Sequence, residues 1–322
     1  MIEIKNLVKL YGTNLAVDNI SFTVNDGEIV GFLGPNGAGK STTMNILTGY
    51  LSATDGECLI GGIDILQNPI AAKKKIGYLP EIPPVYLEMT VREYLNFVYD
   101  LKKSTLNKKK HIDEICEVVK IAHVQHRLIG NLSKGYRQRV GFAQALVGNP
   151  EVLIFDEPTV GLDPVQIIEI RNLIKSLGKN HTVILSTHIL SEVQAVCDRI
   201  VVINKGKIVA NATAKELDDI SGVSSKSKLK VLGNPDTVIS ALKTVEGVTE
   251  AVLLDEKFDE ADCHAYIVTA DGSDDIRKKI FFTLAARELA ILNFEACASS
   301  IEDIFISLVK DGKAEGTEGG NN

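Results

Sequence analysis

Runs of apolar residues along the chain predict a parallel sheet whose strands are separated by helices. Three continuous apolar runs, at 28–33, 152–155 and 182–186, are typical of strands that are covered on both faces. Two alternating segments, at 2–7 and 20–24, predict strands that bury only one face. These patterns favour an α/β fold for the N-terminal part of the chain.

The section from about 82 to 147 interrupts this alternation of strands and helices. Thr90 and Glu93 form a capping-box pattern, and the apolar residues that follow recur at helical spacing. A lysine-rich link at 102–110 leads to a second predicted helix at about 112–121. We therefore expect an inserted helical subdomain, with the lysines on a solvated face.

The C-terminal part predicts a separate, smaller domain after the small polar link at 221–228. The predicted elements are strands at 229–232, 250–254, 265–269 and 292–296, helices at 236–245 and 274–290, and a last helix that opens with a capping box at 300–303. This order indicates an α+β domain, for which a ferredoxin-like arrangement is one candidate. It contains no catalytic set, so we expect a regulatory or dimer-supporting role.

The predicted organisation has three parts. Residues 1–222 form the α/β domain, residues 223–310 form the small α+β domain, and residues 311–322 form a Gly- and Glu-rich tail that we expect to be disordered.

Composition excludes several classes of protein. The net charge of −7 argues against a nucleic-acid binder that works by broad basic attraction. Five scattered cysteines without a C-x-x-C pair favour reduced thiols in the cytosol. The sequence shows neither a secretion signal nor an apolar run long enough to span a membrane. If the protein serves a membrane, we expect it to do so from the cytosolic side through a partner.

A glycine-rich segment follows the predicted strand at 28–33 and precedes a predicted helix at 41–47. It fits the phosphate-loop pattern G-x-x-x-x-G-K-[ST], whose glycines let successive backbone N–H groups point at one phosphate. We expect Lys40 to hold the β- and γ-phosphates of a nucleoside triphosphate and the Ser41 hydroxyl to bind Mg²⁺. The predicted phosphate-loop residues are Gly34, Pro35, Asn36, Gly37, Ala38, Gly39, Lys40, Ser41 and Thr42.

Two acids and a histidine follow later strands. Asp156 and Glu157 stand at the carboxyl end of the run at 152–155, where open α/β sheets bind ligands. We expect Asp156 to hold Mg²⁺ and Glu157 to deprotonate the attacking water. His188 follows the run at 182–186, where a histidine can donate to a γ-phosphate or position water, although a single histidine is usually structural.

Three further candidates have a functional and a structural interpretation. Ser133 and Gly135 open a predicted helix and could form a second anion site, although a serine there is more commonly an N-cap. Tyr11 could stack on adenine or simply pack. His123 and His126 lie near Cys116, but further metal ligands are not evident in the sequence.

The order of these motifs resembles the ATP-binding subunits of ABC transporters over about the first 220 residues. The segments that carry the resemblance are Tyr11, the phosphate loop, 132–136 as the signature, 155–158, 161–163 and 187–188. The resemblance implies an ATP-binding P-loop core with Mg²⁺, and it adds Asp163 and Glu81 to the expected site. It also implies two copies that face head to tail around two ATP molecules and act on a separate permease at the cytoplasmic membrane face.

This sequence departs from the family pattern in two places. The signature usually reads L-S-G-G-Q, and Lys134 and Tyr136 replace the first glycine and the glutamine. Glu81 stands where the family usually has Gln. The C-terminal arrangement is similar to that of bacterial exporter ATPases with a separate permease chain.

The alternative function is a soluble ABC-type ATPase that acts on DNA or the ribosome. Such a protein would need a second ATPase half, a coiled-coil insertion or zinc-binding cysteine pairs, and the sequence shows none of these. A GTPase is disfavoured because an Asn-Lys-x-Asp motif is missing from the sequence. The transported substrate is not encoded in this chain.

Overall fold

The computed structural model describes residues 1–213, 216, 226–256, 258, 260, 262–271 and 276–296. The chain divides into two compact units, Met1–Ala214 and Lys215–Asn322. The predicted boundary at residue 222 lies outside the described residues, as do the predicted last helix and tail.

The described part of the first unit contains ten strands and seven α-helices. In chain order the strands are β1 (Ile2–Tyr11), β2 (Asn14–Val24), β3 (Ile29–Leu33), β4 (Asp55–Ile60), β5 (Ile63–Asp64), β6 (Ile76–Leu79), β7 (Val152–Asp156), β8 (Thr182–Thr187), β9 (Arg199–Asn204) and β10 (Lys207–Ala212). The α-helices are α1 (Lys40–Leu47), α2 (Pro69–Lys74), α3 (Val91–Lys102), α4 (Lys108–Val118), α5 (Lys134–Leu146), α6 (Pro164–Gly178) and α7 (Leu190–Val196).

Two sheets organise this unit. Strands β2, β1, β4 and β5 pair in that order as an antiparallel sheet. The second sheet has the order β10-β9-β3-β8-β7-β6, and every pair in it is parallel except β10 with β9. Because β3, β8 and β7 are neighbours, the residues that follow their carboxyl ends meet at one edge.

The main core lies between these sheets and includes α1. Strands β3, β7 and β8 are buried at every position, as their continuous apolar runs predict. Met44, Ile46 and Leu47 of α1 pack into the same core as Ile2 and Ile4 of β1. This burial anchors the helix that begins at the phosphate loop.

The section between β6 and β7 is helical, as predicted, but α4 begins earlier than the sequence pattern indicates. The predicted range was about 112–121, whereas the helix spans Lys108–Val118. The side chain of Asn107 accepts a hydrogen bond from the backbone N–H of Lys110 at 3.1 Å and caps the helix inside the lysine-rich segment. The capping box predicted at Thr90 and Glu93 is present at the start of α3.

The second unit contains the predicted succession of strand, helix, two strands, helix and strand. Its elements are β11 (Lys226–Leu232), α8 (Pro235–Lys243), β12 (Val248–Leu253), β13 (Cys263–Ala270), α9 (Ile276–Ala285) and β14 (Ile291–Ala296). The antiparallel sheet has the order β12-β13-β11-β14, and Leu229, Tyr266 and Val268 form its core with Leu242 and Ile280 from the helices. The ferredoxin-like assignment of the complete domain stays a prediction.

Candidate functional site

The phosphate loop turns directly from β3 into α1. Gly39 is the N-cap of α1 and has φ +109°, a conformation that L side chains rarely adopt. A Cβ at this position would meet the backbone oxygen of Ala16 at 2.6 Å. Gly37 also has positive φ, at +79°, but the space around it is open. Glycine at 39 is therefore required by both backbone conformation and the close approach of β2.

Lys40 lies buried at the first position of α1, with its amine turned back over the loop. Its Nζ donates to the backbone oxygens of Gly34 at 2.7 Å and Pro35 at 3.3 Å. The same Nζ lies 3.5 Å from Oε1 of Glu157, and both side chains are buried. The contact brings together a loop cation and a carboxylate more than a hundred residues apart in the sequence.

Glu157 and His188 follow neighbouring strands and contact each other. The Nδ1 atom of His188 lies 3.0 Å from Oε1 and 2.9 Å from Oε2 of Glu157. Glu157 has φ +48°, which is unusual for a residue with a side chain, and its backbone N–H donates to the oxygen of Ser186 at 2.8 Å. A strained backbone conformation at a residue so placed is common in active sites.

Asp156 is the acidic residue that precedes Glu157. Burial raises the pKa of its carboxyl group, and the charges of Glu157 and Glu81 raise it further, whereas the hydroxyl groups of Ser186 and Ser41 lower it. Its Oδ1 is buried and has no hydrogen-bond partner among the described residues. An orphaned carboxylate oxygen beside a serine hydroxyl suits Mg²⁺, which prefers oxygen ligands, so the residues present fit this ion.

Lys40, Glu157 and His188 border one cleft of about 480 Å³, whereas Asp156 is not among the residues that border it. It is bordered by Tyr11, Asn14, Ala16, Asn36, Gly37, Gly39, Lys40, Ser41, Thr42, Glu81, Glu157, Val160 and His188. Tyr11 is about half exposed, and the ammonium of Lys9 lies 5.3 Å from its ring centroid. Asn14, Ala16 and Val160 are not among the predicted site residues, because only the fold brings β2 and the segment after Glu157 to the phosphate loop.

The signature residues do not line this cleft. Ser133 caps α5 by accepting a hydrogen bond from the backbone N–H of Tyr136 at 3.4 Å. Gly135 borders a separate cavity of about 290 Å³, where a Cβ would meet the side chain of Gln166 at 2.5 Å. Asp163 caps α6 by accepting a hydrogen bond from the N–H of Gln166 at 2.9 Å.

The two departures from the signature pattern have different surroundings. Tyr136 donates or accepts a hydrogen bond with Nε2 of His123 at 3.0 Å, and the rings meet edge to face. Lys134 is exposed at the start of α5. His123 thus contacts the signature helix, and the described residues contain no cluster of three or more His, Cys, Asp or Glu side chains placed to hold a metal ion.

Comparison with known proteins identifies the family. The sequence profile described as "ABC transporter" matches residues 17–160. The bacitracin transport ATP-binding protein BcrA of Bacillus licheniformis is 34% identical over 320 residues, covering 97% of this chain and 98% of BcrA. The linearmycin resistance ATP-binding protein LnrL of Bacillus subtilis (strain 168) is 32% identical and covers 96% of this chain and 98% of LnrL.

A solved structure supports the same assignment. It is the dimeric, post-hydrolysis state of the ATP-binding cassette MJ0796 bound to ADP and Pi. The TM-score is 0.61 at 26% identity, and the match covers 66% of this chain and 99% of the cassette. Together with the phosphate loop and the acids gathered around it, these matches show that the chain belongs to the ATP-hydrolysing ATP-binding proteins of ABC transporters.

Proposed function

We propose that this protein binds ATP in the cleft around the phosphate loop, pairs with a second copy, and drives a separate permease that exports an antibiotic-like compound. The observation that carries the proposal is the meeting of Lys40, Glu157 and His188 at the edge formed by β3, β7 and β8. Members of this family bind ATP and pair with membrane permeases.

Nucleotide binding rests on the loop and the start of α1. Backbone N–H groups of 34–42 and the positive end of the helix dipole attract phosphate oxygens. Lys40 adds a buried positive charge that neutralises the β- and γ-phosphates. Tyr11 borders the cleft from the end of β1, where its ring is available to stack on the adenine.

Hydrolysis rests on Glu157. Its carboxylate borders the cleft, where it accepts a proton from the water that attacks the γ-phosphate. His188 contacts both carboxylate oxygens and holds them in one orientation. Ser41, Asp156 and Glu81 would hold Mg²⁺, which neutralises charge on the β- and γ-phosphates when it is bound.

A second copy supplies the other side of the site. Ser133 and Asp163 cap α5 and α6, and Gly135 lies in the first turn of α5. All three lie outside the cleft, and we propose that they face the nucleotide held by a partner copy. The N-terminus of α5 presents backbone N–H groups to an anion. The dimeric cassette structure that this chain resembles supports such pairing.

Export is supported by the names of two relatives that align over almost the whole chain. One is named for bacitracin transport and the other for linearmycin resistance. Among the residues that the structure describes, each helix is too short or too polar to cross a lipid bilayer. The conduit for the exported compound is therefore proposed to be a separate permease, with this chain bound at its cytoplasmic face.

The central experiment uses Glu157→Gln in the full-length chain. We expect this variant to bind ATP but hydrolyse it about 10²–10⁴-fold more slowly, the range expected for loss of a general base. Size-exclusion chromatography with light scattering should then show an ATP-dependent dimer. A variant with normal turnover would exclude Glu157 as the base.

The second arm of the experiment tests the signature residue Ser133 in the Glu157→Gln background. Adding Ser133→Ala should abolish the ATP-dependent dimer because it removes a γ-phosphate ligand. Asn107→Ala is the matched control: it removes the N-cap of α4, far from any expected phosphate, at a similar cost to helix stability. If both variants weaken the dimer equally, helix capping rather than phosphate binding explains the effect.

A further inference from the structure

A buried glutamate on α7 contacts the segments that carry the base and the histidine. Glu192 is 2% exposed. Its Oε1 accepts a hydrogen bond from the hydroxyl of Thr159 at 2.6 Å, and its Oε2 accepts one from the hydroxyl of Thr187 at 3.0 Å. Each carboxylate oxygen therefore binds one threonine.

The two threonines stand next to the catalytic candidates in the sequence. Thr187 directly precedes His188, and Thr159 follows Glu157 by two positions. The contact between His188 and Glu157 completes a closed ring. The ring contains two short stretches of backbone, from Glu157 to Thr159 and from Thr187 to His188. Side-chain hydrogen bonds close it: those of the two threonines with Glu192 and that of His188 with Glu157.

The surroundings of Glu192 favour a positioning role over a stabilising one. A buried carboxylate is costly unless it is paired with a cation or fully hydrogen-bonded. Within the described residues, the carboxylate of Glu192 has no ion pair and accepts hydrogen bonds from the two threonine hydroxyl groups. If the main contribution of Glu192 were to stability, an apolar residue at this position would carry a smaller free-energy cost of burial. A carboxylate, by contrast, offers one equivalent oxygen to each of the two hydroxyl groups.

The segment after Glu157 is also held by α5. Gln138 of α5 is buried, and its Nε2 donates to the backbone oxygen of Pro158 at 2.9 Å. The stretch from Glu157 to Thr159 is thus fixed between α5 and α7.

We infer that Glu192 is a positioning residue for ATP hydrolysis: it clamps the segments that carry Glu157 and His188 so that the carboxylate and the imidazole stay in contact. This inference rests on the proposed role of Glu157 as the base. It predicts that loss of the clamp lowers kcat while the phosphate loop continues to bind nucleotide. Small displacements of catalytic groups can reduce the rate about 10²-fold.

The test compares Glu192→Gln with Glu192→Ala in the full-length chain. Glutamine keeps the shape but has only one acceptor oxygen, so one threonine loses its acceptor. We expect kcat to fall about 10-fold for the glutamine variant and about 100-fold for the alanine variant, with the KM for ATP within about 3-fold of the normal value. Thr159→Val and Thr187→Val should each reproduce part of this loss.

Val193→Ala is the matched control. Val193 is the buried neighbour of Glu192 on α7, and its truncation loosens the helix without removing the clamp. We expect Val193→Ala to lower thermal stability at least as much as Glu192→Gln while kcat stays near normal. Equal losses of kcat in the two variants would overturn it, because they would trace the effect to the stability of α7.

Coupling between the variants gives a second readout. If the clamp acts as one unit, adding Thr159→Val and Thr187→Val to Glu192→Ala should cause little further loss of kcat. Fully multiplicative losses would overturn the proposal. If Glu157→Gln is inactive and Glu192→Gln has normal kcat, only the clamp is refuted. If Glu157→Gln remains active, the proposed role of Glu157 as the base fails.

Discussion

The Nδ1 atom of His188 lies 3.0 and 2.9 Å from the two carboxylate oxygens of Glu157, although the residues are 31 positions apart in the chain. Parallel pairing of β7 with β8 creates this contact, because Asp156 lies opposite Ser186 and each strand continues directly into the site. The ring nitrogen of His188 that contacts Glu157 is thus Nδ1, the one nearer the backbone. It therefore distinguishes two substitutions of the histidine.

His188→Asn should retain more activity than His188→Gln. The amide nitrogen of asparagine can occupy the position of Nδ1, whereas that of glutamine reaches toward Nε2. We expect His188→Ala to lower kcat on the order of 10²–10³-fold, with the asparagine variant between it and the normal protein. Steady-state kinetics with ATP provide the comparison. Higher activity in the glutamine variant would mean that contacts of Nε2 matter more than the contact with Glu157.

Asp156→Asn should stabilise the nucleotide-free protein while abolishing Mg²⁺-dependent hydrolysis. Burial raises the pKa of Asp156 from its ordinary 3.8, so the folded protein holds this proton more tightly than the unfolded chain does. The resulting stability is present below pH 3.8 and is lost as the pH rises through the higher pKa of the folded protein. At neutral pH the charged carboxylate therefore lowers stability, and asparagine removes that cost.

Thermal unfolding without nucleotide measures this effect. Each kcal/mol relieved should raise Tm by roughly 2–4 °C in a domain the size of the first unit. The difference in Tm between Asp156→Asn and the normal protein should shrink on acidification, as the native aspartate becomes protonated. An asparagine variant that is less stable at neutral pH would contradict this assignment.

Gly39→Ala should impair nucleotide binding more than Gly37→Ala. Both glycines have positive φ, but only a Cβ at 39 meets a backbone atom, the oxygen of Ala16 at 2.6 Å. A left-handed conformation alone costs an L residue about 1–2 kcal/mol, equivalent to roughly a tenfold loss of affinity at position 37. At position 39 the loop must also move away from β2, so we expect a loss of more than about 100-fold.

Equilibrium binding of a fluorescent ATP analogue measures both glycine variants. Gly37→Ala controls for backbone strain, since the two substitutions add the same methyl group to the same loop. Equal affinities would show that the contact with Ala16 does not restrict the loop.

Lys102→Met should remove a pH dependence of stability above neutral pH. The Nζ of Lys102 donates to the backbone oxygen of Val147 at 2.8 Å, just beyond α5. Burial lowers the pKa of Lys102 from 10.5 to about 8. Between these values the unfolded chain binds more protons than the folded protein, so the contribution of Lys102 to stability rises with pH.

Paired thermal melts from about pH 7 to about pH 10 check this prediction. The Tm of the normal protein should rise relative to that of Lys102→Met across this range. A difference in Tm that stays constant with pH would refute the lowered pKa of Lys102. Taking the difference cancels other groups that titrate in both proteins.

Much of the fold could be predicted because its signals are local. The continuous apolar runs at β3, β7 and β8 require burial on both faces, and the capping box at Thr90 and Glu93 specifies a helix start without distant partners. The predicted start of α4 was wrong because Asn107 caps the helix within a segment whose lysines resemble a solvated link. The cap depends on the single side chain of Asn107, and the lysines around it make the segment resemble a link rather than the start of a helix.

The sequence by itself determined the phosphate loop, since the glycines and Lys40 act through the backbone around them and through the helix that follows. Only the tertiary structure decided that Glu157 reaches Lys40, that His188 contacts Glu157, and that Glu192 links their segments. These contacts depend on strand order and on the depth of burial, which arise from packing across the whole sheet. A motif specifies its own residues, whereas the distance between two motifs is a property of the folded chain.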